Sequence, residues 1–218
     1  MVFIMNPEAI LKKGLNEIGL SCSQGQINAF MTYLSELKKW NRTYNLTALK
    51  TDGDIIIKHF LDSLLYLRAI PSGSFKIADV GSGAGFPGIP LKIVCPEIEI
   101  TLIEPSWKKS AFLRHIVRVL GLKGIGVLES RLEDIGKTYE KTYDVILSRA
   151  TFKIKDFLKR ACPYIKEGGR LVLSKGPRFS EETKMVDAVE KVLKLELPFI
   201  EVGMNRLPAQ RNLVVLKC

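Results

Sequence analysis

From Ile77 to Gly88 the chain reads Ile-Ala-Asp-Val-Gly-Ser-Gly-Ala-Gly-Phe-Pro-Gly. An apolar run that ends in closely spaced glycines is a strand giving way to a turn of bare backbone. In such a turn amide groups can approach a ligand with no side chains in the way, and Pro87 can open the helix that follows. Gly83, Gly85 and Gly88 satisfy G-x-G-x-x-G, a spacing shared with dinucleotide-binding turns and weak by itself, and such a turn can also simply join two elements. Asp79 discriminates between ligands. A carboxylate just ahead of the first glycine, Gly81, repels a pyrophosphate and favours a ligand with a cationic amino group near the loop. Glu104 ends the next apolar run about twenty residues on, where doubly wound folds place an acid against ribose hydroxyls.

These residues need a parallel sheet to hold them, and the sequence from Phe75 onward has that texture. KIADV, EITLIE, GIGVLES, YDVILSR and GRLVLS are short β-rich runs, each followed by a helical or turn segment, as in βαβ units. A helix is expected near Glu181–Leu193, then two strands, LPFIEV and RNLVVLK, joined by a loop with Gly203 and Pro208 and paired antiparallel. The fold class is therefore α/β: a Rossmann-like, seven-stranded, mostly parallel sheet with an antiparallel terminal strand, preceded by a helical extension. Residues 1–74 form that extension and 75–218 the sheet domain. Within the extension, Asn6 caps a helix with Pro7 at its first position. A second helix starts near Ser23 and is broken by the polar stretch Trp40–Asn45; a third covers Asp54–Leu67.

Lys and Arg total 33 against 23 acidic residues, for a net charge of +10, which favours a polyanionic partner, nucleic acid or an anionic membrane surface. Ser106 caps a helix to about Leu120, with Phe112, Leu113, Ile116, Val117 and Leu120 on one arc and Lys108, Arg114, His115 and Arg118 on the other. Between Pro105 and Leu128 there is no acid, so the cations lack partners on their own helix and form either a solvated face or a track for phosphates. Lys109 falls in the apolar arc, so it lies beyond the sheet or points at a ligand. Cys22, Cys95, Cys162 and Cys218 show no metal or disulfide spacing, and reduced thiols are expected, with no metal site. With neither a signal peptide nor an apolar run of about 18 residues, a cytoplasmic protein is expected. His59 is expected to serve as a structural hydrogen-bonding residue.

The pattern D-x-G-x-G-x-G over Asp79–Gly85 resembles motif I of Rossmann-like methyltransferases, which bind S-adenosyl-L-methionine. The resemblance then narrows. Trp40-Asn41 with Asn45-Leu46-Thr47, His59-Phe60-Leu61-Asp62-Ser63, the segment DVGSGAGFPGIPL from Asp79 to Leu91, Lys108-Lys109 with Phe112-Leu113, Ser148-Arg149-Ala150 and Arg211-Asn212-Leu213-Val214-Val215 together resemble the RsmG family, also called glucose-inhibited division protein B. That similarity covers nearly the whole chain. It implies transfer of a methyl group from S-adenosyl-L-methionine to ring nitrogen 7 of a guanine in the 530 loop of 16S ribosomal RNA, by a monomer acting on the RNA, the 30S subunit or an assembly intermediate. It implies cofactor contacts at Gly81, Phe86, Glu104, Leu132-Glu133 and Arg149, beside Asp79 and Gly83 of the loop. Leu132 stands where alanine is common and could crowd an adenine pocket. Lys108, Lys109, Arg114 and Arg118 are candidate RNA contacts, and no catalytic residue is identified. No proline precedes a cysteine, as cytosine carbon-5 chemistry on RNA needs, and no Asn/Asp-Pro-Pro-aromatic follows the fourth strand, as adenine amine methylation needs. The alternatives are an inert methyltransferase fold that binds RNA or assists ribosome assembly, and a nicotinamide-dependent oxidoreductase, which Asp79 opposes.

Overall fold

The structure is a computed structural model that describes residues 6–70, 75–149, 152–176, 179, 182–183, 186–197 and 210–218. Seven strands form one sheet: β1 (Lys76–Val80), β2 (Glu99–Ile103), β3 (Ile125–Leu128), β4 (Tyr143–Ser148), β5 (Ile165–Lys175), β6 (Val189–Glu196) and β7 (Gln210–Leu216). Their order is β3-β2-β1-β4-β5-β7-β6, with every pairing parallel except those of β7, which runs antiparallel to both neighbours. The order reverses between β1 and β4, and in open α/β sheets ligands bind in the crevice outside the carboxyl ends of strands at such a point. The turn after β1 opens there.

Strand periodicity builds two cores, because successive side chains face opposite sides of the sheet. Ile77, Val145, Leu147, Val172, Leu213 and Val215 join one apolar cluster, and Ala78, Ile146, Leu171, Leu173, Val214 and Leu216 join the other. The first cluster is shared with α1 (Pro7–Glu17), α2 (Gln24–Tyr44), the helical stretch from Asp52 to Arg68, α5 (Gly88–Val94) and α6 (Trp107–Val119), and the second is covered by α7 (Ile154–Ala161). Asn6 caps α1 by accepting from the Ala9 amide at 2.7 Å, with Pro7 at the first position as expected. Ser23 and Gln26 form a reciprocal capping box at the start of α2. Ser106 stands at the N-cap of α6 without a side-chain bond.

Three expectations need correction or refinement. Helix α2 does not break at Trp40 but runs to Tyr44 and ends on Asn45 in the left-handed conformation. Trp40 and Tyr44 continue the i, i+4 stripe, with Trp40 packed against Phe112 and His115 of α6 at 5.6 and 5.0 Å between ring centroids, and this contact outweighs the polar composition. The third helical stretch opens at α3 (Asp52–Ile55) behind a Thr51 cap, winds as a π-helix over Ile56–Leu61, and continues through α4 (Asp62–Leu64) and a 3-10 turn to Arg68. Val189–Leu193 belongs to strand β6, not to a helix. Because β7 is buried on both faces from Leu213 to Leu216, it needs a partner on its free edge. A register shift between Val189 and Lys191 then lets Val189 and Val192 pack on one cluster and Leu193 and Leu195 on the other. Pro198–Val202 of the expected strand LPFIEV, and the loop with Gly203 and Pro208, lie outside the described residues.

The cysteines bring a fourth correction. Cys162 and Cys218, separated by 56 residues in sequence, are disulfide-bonded, with Cα atoms 5.5 Å apart, while Cys22 and Cys95 are free. Because β7 runs antiparallel to β5, its end returns beside the start of β5, where Cys162 stands, a proximity that no spacing rule on the sequence encodes. Closing a loop of this size restricts the unfolded chain by roughly 4 kcal/mol on the chain-entropy scale. We expect Cys218→Ser to lower unfolding stability by up to about that amount in urea titrations of the oxidised protein. The variant and the wild type should converge once reductant is added.

Candidate active site

Each loop glycine has a different task. Gly81, Gly83 and Gly85 all have positive φ, at 69°, 61° and 100°. The amides of Gly81 and Ser82 donate to the Ile103 carbonyl at 2.9 and 3.2 Å, and those of Gly85 and Phe86 to the Ser82 carbonyl at 2.8 and 2.9 Å, so the turn is tied to the end of β2 and to itself. A Cβ on Gly85 would collide with Ile89 and lie 2.7 Å from the Tyr33 hydroxyl, and one on Gly88 would collide with Leu102 and lie 2.9 Å from Asp79 Oδ2. A Cβ on Gly83 would have nothing nearer than the Gly81 carbonyl at 3.9 Å. Gly85 and Gly88 therefore admit neighbouring protein atoms, and Gly83 faces open space. The Gly83 amide donates to Glu104 Oε2 at 2.8 Å, and Glu104 Oε1 accepts from the Ser106 amide at 3.0 Å. Glu104 is 5% exposed and braces the loop from the end of β2.

Asp79 is wholly buried. Its Oδ2 accepts from the Gly88 amide at 2.9 Å, which anchors the start of α5, while Oδ1 accepts no hydrogen bond. Burial pushes its carboxyl up to about 7 against the restraining effects of the Gly88 amide and Arg149. The acid read as the partner of a ligand's amino group is thus first a brace, with acceptor capacity left over.

Leu46, Thr47 and His59 from the helical extension, Gly81–Ala84 and Phe86 from the loop, and Arg149 from the end of β4 line one pocket of about 160 Å³. Ligand pockets typically span ~300–1,000 Å³, so this one has room for only part of a ligand of that size. The His59 ring stacks on Phe86 with centroids 4.4 Å apart, and the Arg149 guanidinium lies 4.9 Å from the same ring. Phe86 is 3% exposed, and its ring is the surface on which His59 and Arg149 pack. Arg149 Nη2 is 3.0 Å from His59 Nδ1, and His59 Nε2 is 2.7 Å from Thr47 Oγ1. Nδ1 also lies 3.1 Å from the Lys58 carbonyl; arginine only donates and a carbonyl only accepts, so the ring's tautomer sets which of the two Nδ1 satisfies. Burial and the adjacent guanidinium hold His59 down to about 3, so the ring is neutral at physiological pH. Its expected hydrogen-bonding role agrees with this geometry, and its place at the pocket wall was not visible from sequence.

The remaining candidates are more dispersed. Leu132 is buried in the second cluster, and Glu133 pairs with Arg160. On α6, Arg114 pairs with Glu129 at 2.9 Å, Lys108 lies over the Trp107 ring, and His115 binds Glu36 of α2 at 2.6 Å; Arg118 is exposed and Lys109 half-buried. Sequence reasoning assigned no role to Thr47, Asp62 or Arg211, although each lies in a segment that carries the family resemblance. Fully buried Asp62 receives Arg149 Nη1 at 3.3 Å and Arg211 Nε at 2.6 Å. Among the described residues, no group of three metal-ligating side chains occurs and no helix is long and apolar enough to cross a membrane.

A seven-stranded sheet with this order, and a glycine turn after β1 braced by an acid at the end of β2, define the Rossmann-like methyltransferase class. Solved structures agree at the level of fold. The chain is similar to precorrin-6y C5,15-methyltransferase from Geobacter metallireducens (TM-score 0.55, 12% identity, 71% of this chain and 86% of that one). It is also similar to ribosomal protein L11 methylase from Lactobacillus delbrueckii (TM-score 0.53, 15% identity, 77% and 79%). Residues 26–214 match the GidB family, rRNA small subunit methyltransferase G, and the chain belongs to that family. Relatives named ribosomal RNA small subunit methyltransferase G include those of Geobacter sp. strain M21, 38% identical with 98% of each chain covered, and Dehalococcoides mccartyi strain CBDB1, 39% identical with 94% of this chain and 88% of that one covered.

Two predictions follow from the loop geometry. Gly85→Ala is expected to lose about 3 kcal/mol of stability from overpacking and a disfavoured φ, and Gly83→Ala only about 1 kcal/mol from φ alone, compared by urea unfolding. For Asp79, the unfolded chain ionises near the ordinary aspartate value of 3.8, whereas the native carboxyl holds its proton to about 7. Its contribution is therefore fully present below pH 4 and is lost as pH rises towards 7. Relative to Asp79→Asn, the wild type should lose stability between pH 4 and pH 7 and then level off, as read from parallel unfolding curves.

Proposed function

We propose that the protein transfers a methyl group from S-adenosyl-L-methionine to ring nitrogen 7 of a guanine in 16S ribosomal RNA, in the 530 loop. The observation that carries this reading is the open glycine turn at the carboxyl end of β1, with Glu104 holding the Gly83 amide and Arg149 closing the pocket, in a chain of the small-subunit methyltransferase G family.

The residues present fit the cofactor. Gly83 leaves room at the backbone, Glu104 supplies a carboxylate for ribose hydroxyls, and Arg149 supplies a cation for a carboxylate. Asp79 braces the loop from beneath through the Gly88 amide, Gly81 and Phe86 line the pocket, and Leu132-Glu133 complete the set that the family resemblance implies. When bound, the cofactor supplies an electrophilic methyl group on a sulfonium. The protein's part is alignment of nucleophile, methyl group and leaving sulfur. Guanine nitrogen 7 has a free lone pair, so no proton has to be removed first. The pocket agrees with that chemistry, because its one histidine is neutral, hydrogen-bonded at both ring nitrogens and unsuited to general base work.

In this reading residues 1–74 are a helical extension packed on a methyltransferase domain at 75–218, and the extension contributes Leu46, Thr47 and His59 to the site. The net charge of +10 and the outer face of α6 serve the RNA. Lys108, Lys109 and Arg118 are the main phosphate contacts, and Arg114 contributes less because Glu129 already holds it.

The test is methyl transfer from labelled cofactor to 16S RNA and to 30S particles from cells lacking the enzyme. We expect a product that borohydride and aniline cleave at one guanine of the 530 loop. At saturating substrates, the single-turnover rate should be nearly flat between pH 7.5 and 9, since no base is consumed. A methylated adenine or cytosine, or a rate rising tenfold per pH unit, would falsify the proposal.

A further inference from the structure

The contacts of Arg149 place unusual demands on Asp62, which lies 87 residues earlier, where the π-helix hands over to α4. Its carboxylate has no access to solvent and receives two guanidiniums, Arg149 Nη1 on Oδ2 at 3.3 Å and Arg211 Nε on Oδ1 at 2.6 Å. Arg149 Nη1 also donates to the Lys58 carbonyl at 3.2 Å, and Nη2 lies 3.0 Å from His59 Nδ1. One edge of the fork is thus held by residues 58–62, one face lies on Phe86, and what remains borders the pocket. Among the described residues, two arginines share the one acid that pairs with them directly, so that ion-pair cluster keeps an excess of one positive charge at the pocket wall. Among the described residues that line the pocket, Arg149 is the one with a formal charge. A buried carboxylate is costly unless its partners are well placed, and an anion in the pocket would balance the remaining cation.

We infer that Asp62 is the positioning residue for the amino-acid end of the cofactor: it orients the Arg149 fork so that the guanidinium receives the cofactor's carboxylate in the pocket lined by Thr47 and His59. This rests on the methyltransferase reading. The assignment follows from charge. The ribose and adenine bring no anion, and the carboxylate of the methionine portion is the single negative group that a lone guanidinium in a small pocket can recognise. Asn at position 62 would present an amide donor to one of the two arginine donors, and the fork would lose its anchor.

The experiment compares two ligands on the full-length protein by calorimetry. S-adenosylhomocysteine carries the amino-acid end, and 5′-deoxy-5′-methylthioadenosine lacks it. Asp62→Asn and Arg149→Lys should each weaken S-adenosylhomocysteine roughly tenfold, the scale of one charge-assisted hydrogen bond, and leave methylthioadenosine within about twofold. The double variant should be no worse than Arg149→Lys alone, because Asp62 acts through that arginine. Asp62→Glu, which keeps the charge but displaces it, should show the same selective loss and serves if Asp62→Asn does not fold. Equal losses for both ligands, no loss for either, or additive losses in the double variant overturn the inference while leaving the methyltransferase reading intact. Failure of the wild type to bind either ligand overturns both.

Discussion

A carboxylate without access to water sits between two guanidiniums from distant parts of the chain, and much of the site depends on that arrangement. Asp62 comes from the helical extension, Arg149 from the end of β4 and Arg211 from β7. Removing one partner of a buried ion pair typically costs 3–5 kcal/mol, because the other charge is left desolvated and unpaired. The three segments are therefore held in one relative position. The Tyr66 hydroxyl, donating to the Ser148 carbonyl at 2.9 Å, pins the same helical stretch to the end of β4. With those contacts made, the π-helical turn carries His59 onto Phe86, and the pocket acquires its second wall.

The other wall is backbone. Positive φ at Gly81, Gly83 and Gly85 shapes the turn, and the two acids differ in what they stabilise. Asp79 reaches forward to the Gly88 amide and Glu104 reaches across to Gly83. Both braces help to hold this turn, because three glycines at alternate positions lose more conformational entropy on folding than ordinary residues. The two functions of the loop, tight packing and ligand approach, are divided among the glycines. Gly85 and Gly88 are filled to contact by neighbours, and Gly83 is left open.

The electrostatics divide similarly. Ion pairs consume part of the basic excess, as at Arg114 with Glu129 and Arg170 with Glu190, so the net charge overstates the number of cations available to a polyanion. Within the pocket the same excess is concentrated in one guanidinium beside a neutral imidazole. This combination suits recognition of a carboxylate and chemistry that removes no proton.

The sequence by itself determined the alternating strands, the glycine turn with Asp79 ahead of it, the acid at Glu104, the capped helices at Asn6 and Ser23, and the basic arc of α6. Each of these is encoded locally, in periodicity, turn chemistry or the spacing of a few residues. The resemblance of short segments, above all DVGSGAGFPGIPL, carried the reading from a fold to a family. Only the tertiary structure decided that Trp40 extends α2, that Val189–Glu196 is a strand and that Cys162 meets Cys218. Each of those depends on a partner far away in sequence, namely α6, the free edge of β7 and the antiparallel return of β7 beside β5. The same holds for Asp62, Arg149, Arg211 and His59. Nothing in the neighbourhood of any one of them announces the others, because a buried charge is tolerated only where the folded chain delivers its counter-charges.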